Sequence, residues 1–187
     1  EALWLDDAQF SAVRFYQMRL REGDDASCLN LNKAQRPRLL GLNPEDMKGR
    51  FSFMKVDGDT EDPWSLLDAP QDDPDVVPAI GDYNSIMYAL KSGVGKTIPY
   101  VDEQGKTFRL KLVAGAKNSI LQGSLFISEK NFVERFPSAS GYRYFLADAP
   151  EVNRVELEKA LAKSLRDIGP AIVPAEMRLA ELNSVMN

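Results

Sequence analysis

Alternation of apolar and polar residues dominates the middle of the chain. From Lys106 to Ala114, the residues Phe108, Leu110 and Leu112 fall on one side and Arg109 and Lys111 on the other. That is the period-two pattern of a strand in a sheet with one wet face. A partner strand, Thr97 to Val101, precedes it across Asp102-Glu103-Gln104-Gly105, and Gly105 can take the positive φ of a tight hairpin. Before the hairpin, an apolar run from Val76 ends at Gly81-Asp82, read as a turn, and a short amphipathic segment, Asn84 to Lys91, is stopped by Gly93. After it, Ser124 to Ile127 reads as a strand, and Ser128 caps a short helix, Glu129 to Arg135, ended by Pro137.

Patterning on either side of this stretch is similar in kind. Phe10, Ala12, Tyr16, Met18 and Leu20 line one side of a first strand, and Leu29 and Leu31 alternate with asparagines in a second, Ser27 to Asn32. Asn43-Pro44-Glu45-Asp46 is a helix start: a cap residue, proline, then acids at the positive end of the dipole. Tyr142 to Ala147 predicts another strand, buried on both faces toward its end. Glu151 to Ile168 predicts the longest helix, with Leu157, Leu161, Leu165 and Ile168 in one stripe. A short strand, Ala171 to Val173, and a last helix from Pro174, with Leu179, Leu182 and Met186 on one face, complete the order. Strands interleaved with short helices predict an α+β fold with mixed sheets.

The acids are unevenly placed. Asp57 to Asp75 holds Asp57, Asp59, Glu61, Asp62, Asp68, Asp72, Asp73 and Asp75 among Pro63, Pro70 and Pro74. Trp64, Leu66 and Leu67 at its centre predict a surface excursion pinned to the body; an exposed Trp64 would instead mark a contact for a partner. Across the whole chain the net charge is −5, which argues against nucleic acid as a partner, because phosphate binding needs a basic surface. At 187 residues the chain suits one domain or two small ones. No window approaches the roughly 20 apolar residues of a membrane span.

Several short motifs suggest chemistry and fail on their context. Ser92-Gly93-Val94-Gly95-Lys96-Thr97 resembles the end of a phosphate-binding loop, but Leu90 stands where the motif needs its first glycine. A helix-like segment precedes it and a strand follows, the reverse of the required order. Asp57-Gly58-Asp59-Thr60-Glu61 lacks the glycine position and terminal glutamate of a calcium loop, and Asp24-Asp25 is better read as a turn. The chain has one cysteine, Cys28, and no histidine. An internal disulfide is excluded, and the commonest general base and metal ligand is missing. Lys96, Ser124 and Ser128 have no histidine to activate them. No catalytic residue, metal or cofactor is expected.

One resemblance spans nearly the whole chain. The "AIGD" run, a short helix, "GKTI", a hairpin, "LVAGAKNSILQGSLFISEKNF" and "FP…GYRYFLADAP" resemble, in this order, the large extracytoplasmic domain of FtsX/MacB-type ABC transporter permeases. "RLREGDDASCLNLN", Arg19 to Asn32, and the closing "RLAELNSVMN" resemble the same branch. The resemblance implies a periplasmic, non-catalytic domain set between membrane helices that lie outside both ends of this piece. It implies a mechanotransmission role, in which a cytoplasmic ATPase and a second permease copy drive export or release of a lipoprotein, peptide or hydrophobic compound. A periplasmic adaptor or lipoprotein cargo is a further implied partner. The MacB-like periplasmic core domain has two lobes, here expected at 1–32 plus 117–187 and at 33–116. Leu179, Leu182 and Met186 would then lie on the coupling helix. Trp64, Tyr83 and Tyr88 are the candidate partner or cargo contacts, with Phe126 and Phe132 as further cleft aromatics. The alternative is a free-standing extracytoplasmic binding module for a hydrophobic or protein ligand, and an enzyme is the reading least supported by the residues.

Overall fold

The computed structural model describes residues 13–23, 36–117, 120, 122–150, 154–164, 171–175 and 177. Contacts divide the chain into two units, Gln17–Tyr144 and Glu1–Tyr16 with Phe145–Asn187. The strands are β1 (Arg14–Arg21), β2 (Arg38–Leu42), β3 (Phe53–Val56), β4 (Val76–Asp82), β5 (Thr97–Val101), β6 (Thr107–Ala116), β7 (Ser124–Ser128) and β8 (Tyr144–Asp148). Two α-helices are described, α1 (Glu129–Arg135) and α2 (Arg154–Ser164). The architecture is α+β: one mixed eight-stranded sheet in the order β3-β6-β4-β7-β2-β1-β8, with β5 paired to β6, and short helices.

Mixed pairing lets the central strands bury both sides. β4 runs parallel to β6, and β2 parallel to β7, while β4 and β7 are antiparallel and share only the pairs Ile80–Phe126 and Gly81–Leu125. Registers place Leu40, Phe126, Ile80, Ala114 and Val56 side by side across five strands. The next row on the opposite face is Leu39, Leu125, Gly81 and Gly115. An irregularity between Ala79 and Ile80 pairs Ala79 with Leu112 but Ile80 with Ala114. This one-residue bulge keeps Arg109, Lys111, Ala114 and Ala116 on one face of β6.

One face is sealed by helices. Phe132 and Phe136 of α1 and Ile86 are buried against Leu39, Leu125, Ile127 and Leu110. Glycine makes this close approach possible. A Cβ on Gly41 would lie 2.6 Å from Phe132 Cβ, and one on Gly115 would lie 2.9 Å from Tyr83 Cδ2 and 3.3 Å from Tyr83 Cα. Ser128 caps α1, its hydroxyl accepting from Asn131 N, and Glu129 and Arg135 sit at the ends that suit the dipole.

The other face is sealed by the acidic loop. Asp62 caps a 3-10 helix, Pro63–Asp68, by accepting from Trp64 N, and Trp64 and Leu67 turn into the core. A second 3-10 turn, Pro44–Met47, starts at the predicted Asn43 cap and buries Met47. The expected wet face of β6 is still open to solvent at Arg109, and acids of this loop lie along it: Asp57 meets Lys111 and Asp73 meets Arg109.

Several expectations are corrected. Gly81 and Asp82 belong to β4, and the segment after them is a π-helix, Ser85–Ala89, rather than an α-helix. It is stopped at Lys91, whose φ of 47° is left-handed, before Gly93 is reached. β8 starts at Tyr144 and ends the sheet order, so it is half-buried to exposed rather than buried on both faces. Residues 171–174 form no strand and are half-buried or exposed. In α2, Leu157 is buried and Leu161 half-buried. The expected strand Ser27–Asn32 and the residues Asp24, Asp25, Cys28, Leu165 and Ile168 lie outside the described residues.

Candidate functional site

The named aromatics have three different fates. Trp64 is 1% exposed. Its ring meets those of Phe51, Phe53 and Phe126 edge-on at centroid distances of 5.9, 5.7 and 5.9 Å, and its indole Nε1 donates to the Arg50 carbonyl at 2.9 Å. All of its apolar surface and its one donor are thus engaged within the fold. Tyr83 is half-buried over Gly115. Tyr88, on the π-helix, is 76% exposed, with Met87 exposed beside it. Phe126 and Phe132 are core residues on opposite faces of the sheet, so they line no common cleft. Leu179, Leu182 and Met186 lie outside the described residues.

The π-helix that carries Tyr88 is tied to the body at its start, through Ser85. The Asp82 carboxylate accepts from Ser85 N at 3.1 Å, and the Ser85 hydroxyl accepts from Gly123 N at 3.1 Å. Ile86 is fully buried beneath it. An irregular helix tied at Ser85 and seated on Ile86 presents Met87 and Tyr88 outward. Such π-turns are frequent at functional sites.

A charged clasp lies on the loop-covered face, and single residues did not announce it. Lys106 Nζ meets Asp75 Oδ1 at 2.7 Å, Arg135 Nη1 lies 3.6 Å from the same oxygen, and Arg109 pairs with Asp73. Arg135 also donates to the Pro74 carbonyl and stacks 5.0 Å over the Phe108 ring. The Lys106 hydrogen bond, with the Lys106 and Arg135 charges, holds the Asp75 carboxyl below its ordinary value against a smaller opposing desolvation. The sequence signal for this clasp was an acid-rich loop and a basic stripe on one strand. Neither signal gives the pairing of residues more than 30 positions apart.

Below their two shared pairs, β4 and β7 part, and α1 continues where β7 ends. The gap is a groove of about 200 Å³. Val76 and Pro78 line its floor, Ala69, Pro70 and Asp73 one wall, and Asn131 the other. Asn131 Nδ2 donates across to the Leu67 carbonyl at 3.4 Å. The groove is smaller than the several hundred Å³ of a small-molecule site.

The residues considered for chemistry serve the fold. Gly95 N donates to the Leu112 carbonyl of β6 at 2.7 Å and Lys96 N closes a turn on the Gly93 carbonyl at 3.1 Å, so both amides are spent within the fold. Ser124 and Ser128 are buried, and Ser128 is the cap of α1. Among the described residues no group of three or more Asp, Glu, Cys or His could hold a metal ion, and no helix is long and apolar enough to cross a membrane.

No protein-family model matches the chain, and no curated protein does. Among solved structures, the periplasmic region of MacB from Actinobacillus actinomycetemcomitans aligns over 90% of this chain and 76% of that chain, with 14% sequence identity and a TM-score of 0.38. A superposition that loose carries no weight for function, so the functional reading rests on this chain's own residues.

Proposed function

We propose that this chain is a non-catalytic extracytoplasmic domain of an FtsX/MacB-like ABC transporter permease. In this role it takes up motion generated by ATP hydrolysis in a cytoplasmic partner and delivered through membrane helices, together with a second permease copy. The observation that carries the reading is where the resembling segments fall. "AIGD" closes β4, "GKTI" opens β5, and "LVAGAKNSILQGSLFISEKNF" supplies the second half of β6, all of β7 and the start of α1. β6, β4 and β7 are neighbours at the centre of the sheet. These three of the resembling segments thus lie at the structural centre, where each constrains the next, while "GYRYFLADAP" supplies the end strand β8.

A mechanical role also suits the chemistry. A stiff, doubly covered sheet transmits displacement without a reactive constellation. The exposed Met87–Tyr88 pair is the proposed partner or cargo contact, because it is apolar and outward. Export or release of a lipoprotein, peptide or hydrophobic compound is the proposed outcome, and a periplasmic adaptor is a proposed further partner.

The test is the sidedness of Tyr88 in the full-length protein. With Cys28→Ser as background, Tyr88→Cys should react with a membrane-impermeant maleimide on intact cells, and the protein should co-purify with an ATPase. Labelling only after lysis would overturn the extracytoplasmic placement. Outside labelling with no ATPase bound would favour the free-standing binding module.

A further inference from the structure

The loop that covers β6 is fastened in two unlike ways. Its first half is anchored by Trp64, 1% exposed, and Leu67, fully buried. Its second half reaches the body chiefly through half-exposed charges: Asp73 and Arg109 are 49% and 50% exposed, and Asp75 and Lys106 are 42% and 59% exposed, with the more buried Arg135 adding a bond to the Pro74 carbonyl. Pairs this open are weak and are screened by salt, whereas burial of an indole is not. Between the two fastenings, residues 69–73 form one wall of the groove over Val76 and Pro78. Ala69 N still closes the 3-10 helix on the Leu66 carbonyl, and Arg109 N holds the Asp75 carbonyl at 2.8 Å. The segment therefore has a fixed point at each end. Pro70 and Pro74 restrict its interior, which favours movement as a unit.

We propose that residues 69–75 are an electrostatically latched strap, with Trp64 and Leu67 as its permanent anchor and the Asp73 and Asp75 pairs as a releasable clasp that sets the width of the groove beside α1. The proposal is independent of the transporter reading. Salt is the lever rather than acid near neutral pH. The groups facing Asp75 are Lys106 from the β5–β6 turn and Arg135 from α1, with the Asp73–Arg109 pair alongside. Those cations keep the Asp75 carboxyl ionised, its affinity for a proton being lowered chiefly by the Lys106 hydrogen bond.

Hydrogen exchange read by mass spectrometry on the whole chain tests this. Raising salt from about 0.05 M to about 1 M shortens the Debye length from over 10 Å to about 3 Å. Within 71–75 the Asp75 amide, which donates to Asp73 Oδ1 at 2.8 Å, should then exchange about fivefold faster, while the amides of β4, β6 and β7 stay unchanged. Arg109→Gln should give the fast exchange at low salt and remove most of the salt response. The exchanged pair Asp73→Arg with Arg109→Asp should restore slow exchange. Exchange in 71–75 that ignores salt overturns the latch. So does a salt response shared equally by the core strands, or an exchanged pair as fast as the single variant.

Discussion

The two faces of the central sheet are closed by different means. On one, α1 and the π-helix lay Phe132, Phe136 and Ile86 against an apolar row, and Gly41 lets Phe132 come close as Gly81 does Ile86. On the other, Trp64 and Leu67 seal the part over Phe126 and Ile80, and ion pairs continue the cover over Arg109 and Lys111. The first cover works by shape, so it tolerates little change in volume. The second is half shape and half charge, so its charged half answers to salt and pH and its apolar half does not. A loop can thus be irreplaceable at one end and adjustable at the other.

The largest test asks whether the two apolar anchors are equivalent. Phe132→Ala and Trp64→Ala should each destabilise by about 3–5 kcal/mol in urea unfolding. Trp64→Ala also leaves the Arg50 carbonyl without its indole donor. If Trp64→Ala costs far less than Phe132→Ala, the loop is an accessory and the comparison fails. Next comes the closeness of the helix cover. Gly41→Ala puts a methyl 2.6 Å from Phe132 Cβ and should cost about 1–3 kcal/mol. A smaller loss, measured the same way, would show that α1 can slide.

Much of this was readable from patterning, and the failures have a common cause. α1 lies over Glu129–Arg135 as Ser128 and Pro137 predict, and the β5–β6 hairpin turns at Asp102, whose carboxylate accepts from Gln104 N and Lys106 N. Trp64 pins the acidic loop as its apolar centre suggested. What periodicity left unread was partners and place in the sheet. Arg109 and Lys111 alternate as solvent-facing residues should, and a loop from over thirty residues away supplies their counter-charges. β8 reads as fully buried because its residues are aromatic and aliphatic, yet its place at the end of the sheet leaves Phe145 55% exposed. The π-helix was also invisible, since its apolar spacing over Asn84–Lys91 matches an α-helix as well. Of the candidate contacts, the apolar centre of the loop pointed Trp64 inward, but the pattern gave no sign that Tyr88 faces out.

The polar ties of the two covers should also part company with pH. At the start of α1, Tyr142 Oη donates to Glu129 Oε1 at 2.9 Å, and Arg19 binds the same oxygen at 2.7 Å. The Glu129 hydrogen bond, aided by burial, raises the Tyr142 phenol above its ordinary 10.0. Its contribution is therefore whole below pH 10.0 and is lost as pH rises through the higher folded value. An ultraviolet titration should show one late tyrosinate that disappears in Tyr142→Phe; an identical curve for the variant refutes the tie.

The loop cover should fail at the opposite end of the scale, and by less. Asp75 ionises below its ordinary 3.8 because Lys106 hydrogen-bonds it and Arg135 stands near. Its contribution is present above pH 3.8 and fades as pH falls through the lower folded value. Carboxyl chemical shifts followed by NMR should place the Asp75 midpoint below those of exposed aspartates, and Lys106→Gln should move it up toward 3.8. High salt should move it the same way, because the partners are open to solvent. A midpoint indifferent to both Lys106→Gln and salt would mean that the charges merely lie near one another. The loop would then be held by Trp64 and Leu67 alone, and both faces of the sheet would be closed by shape.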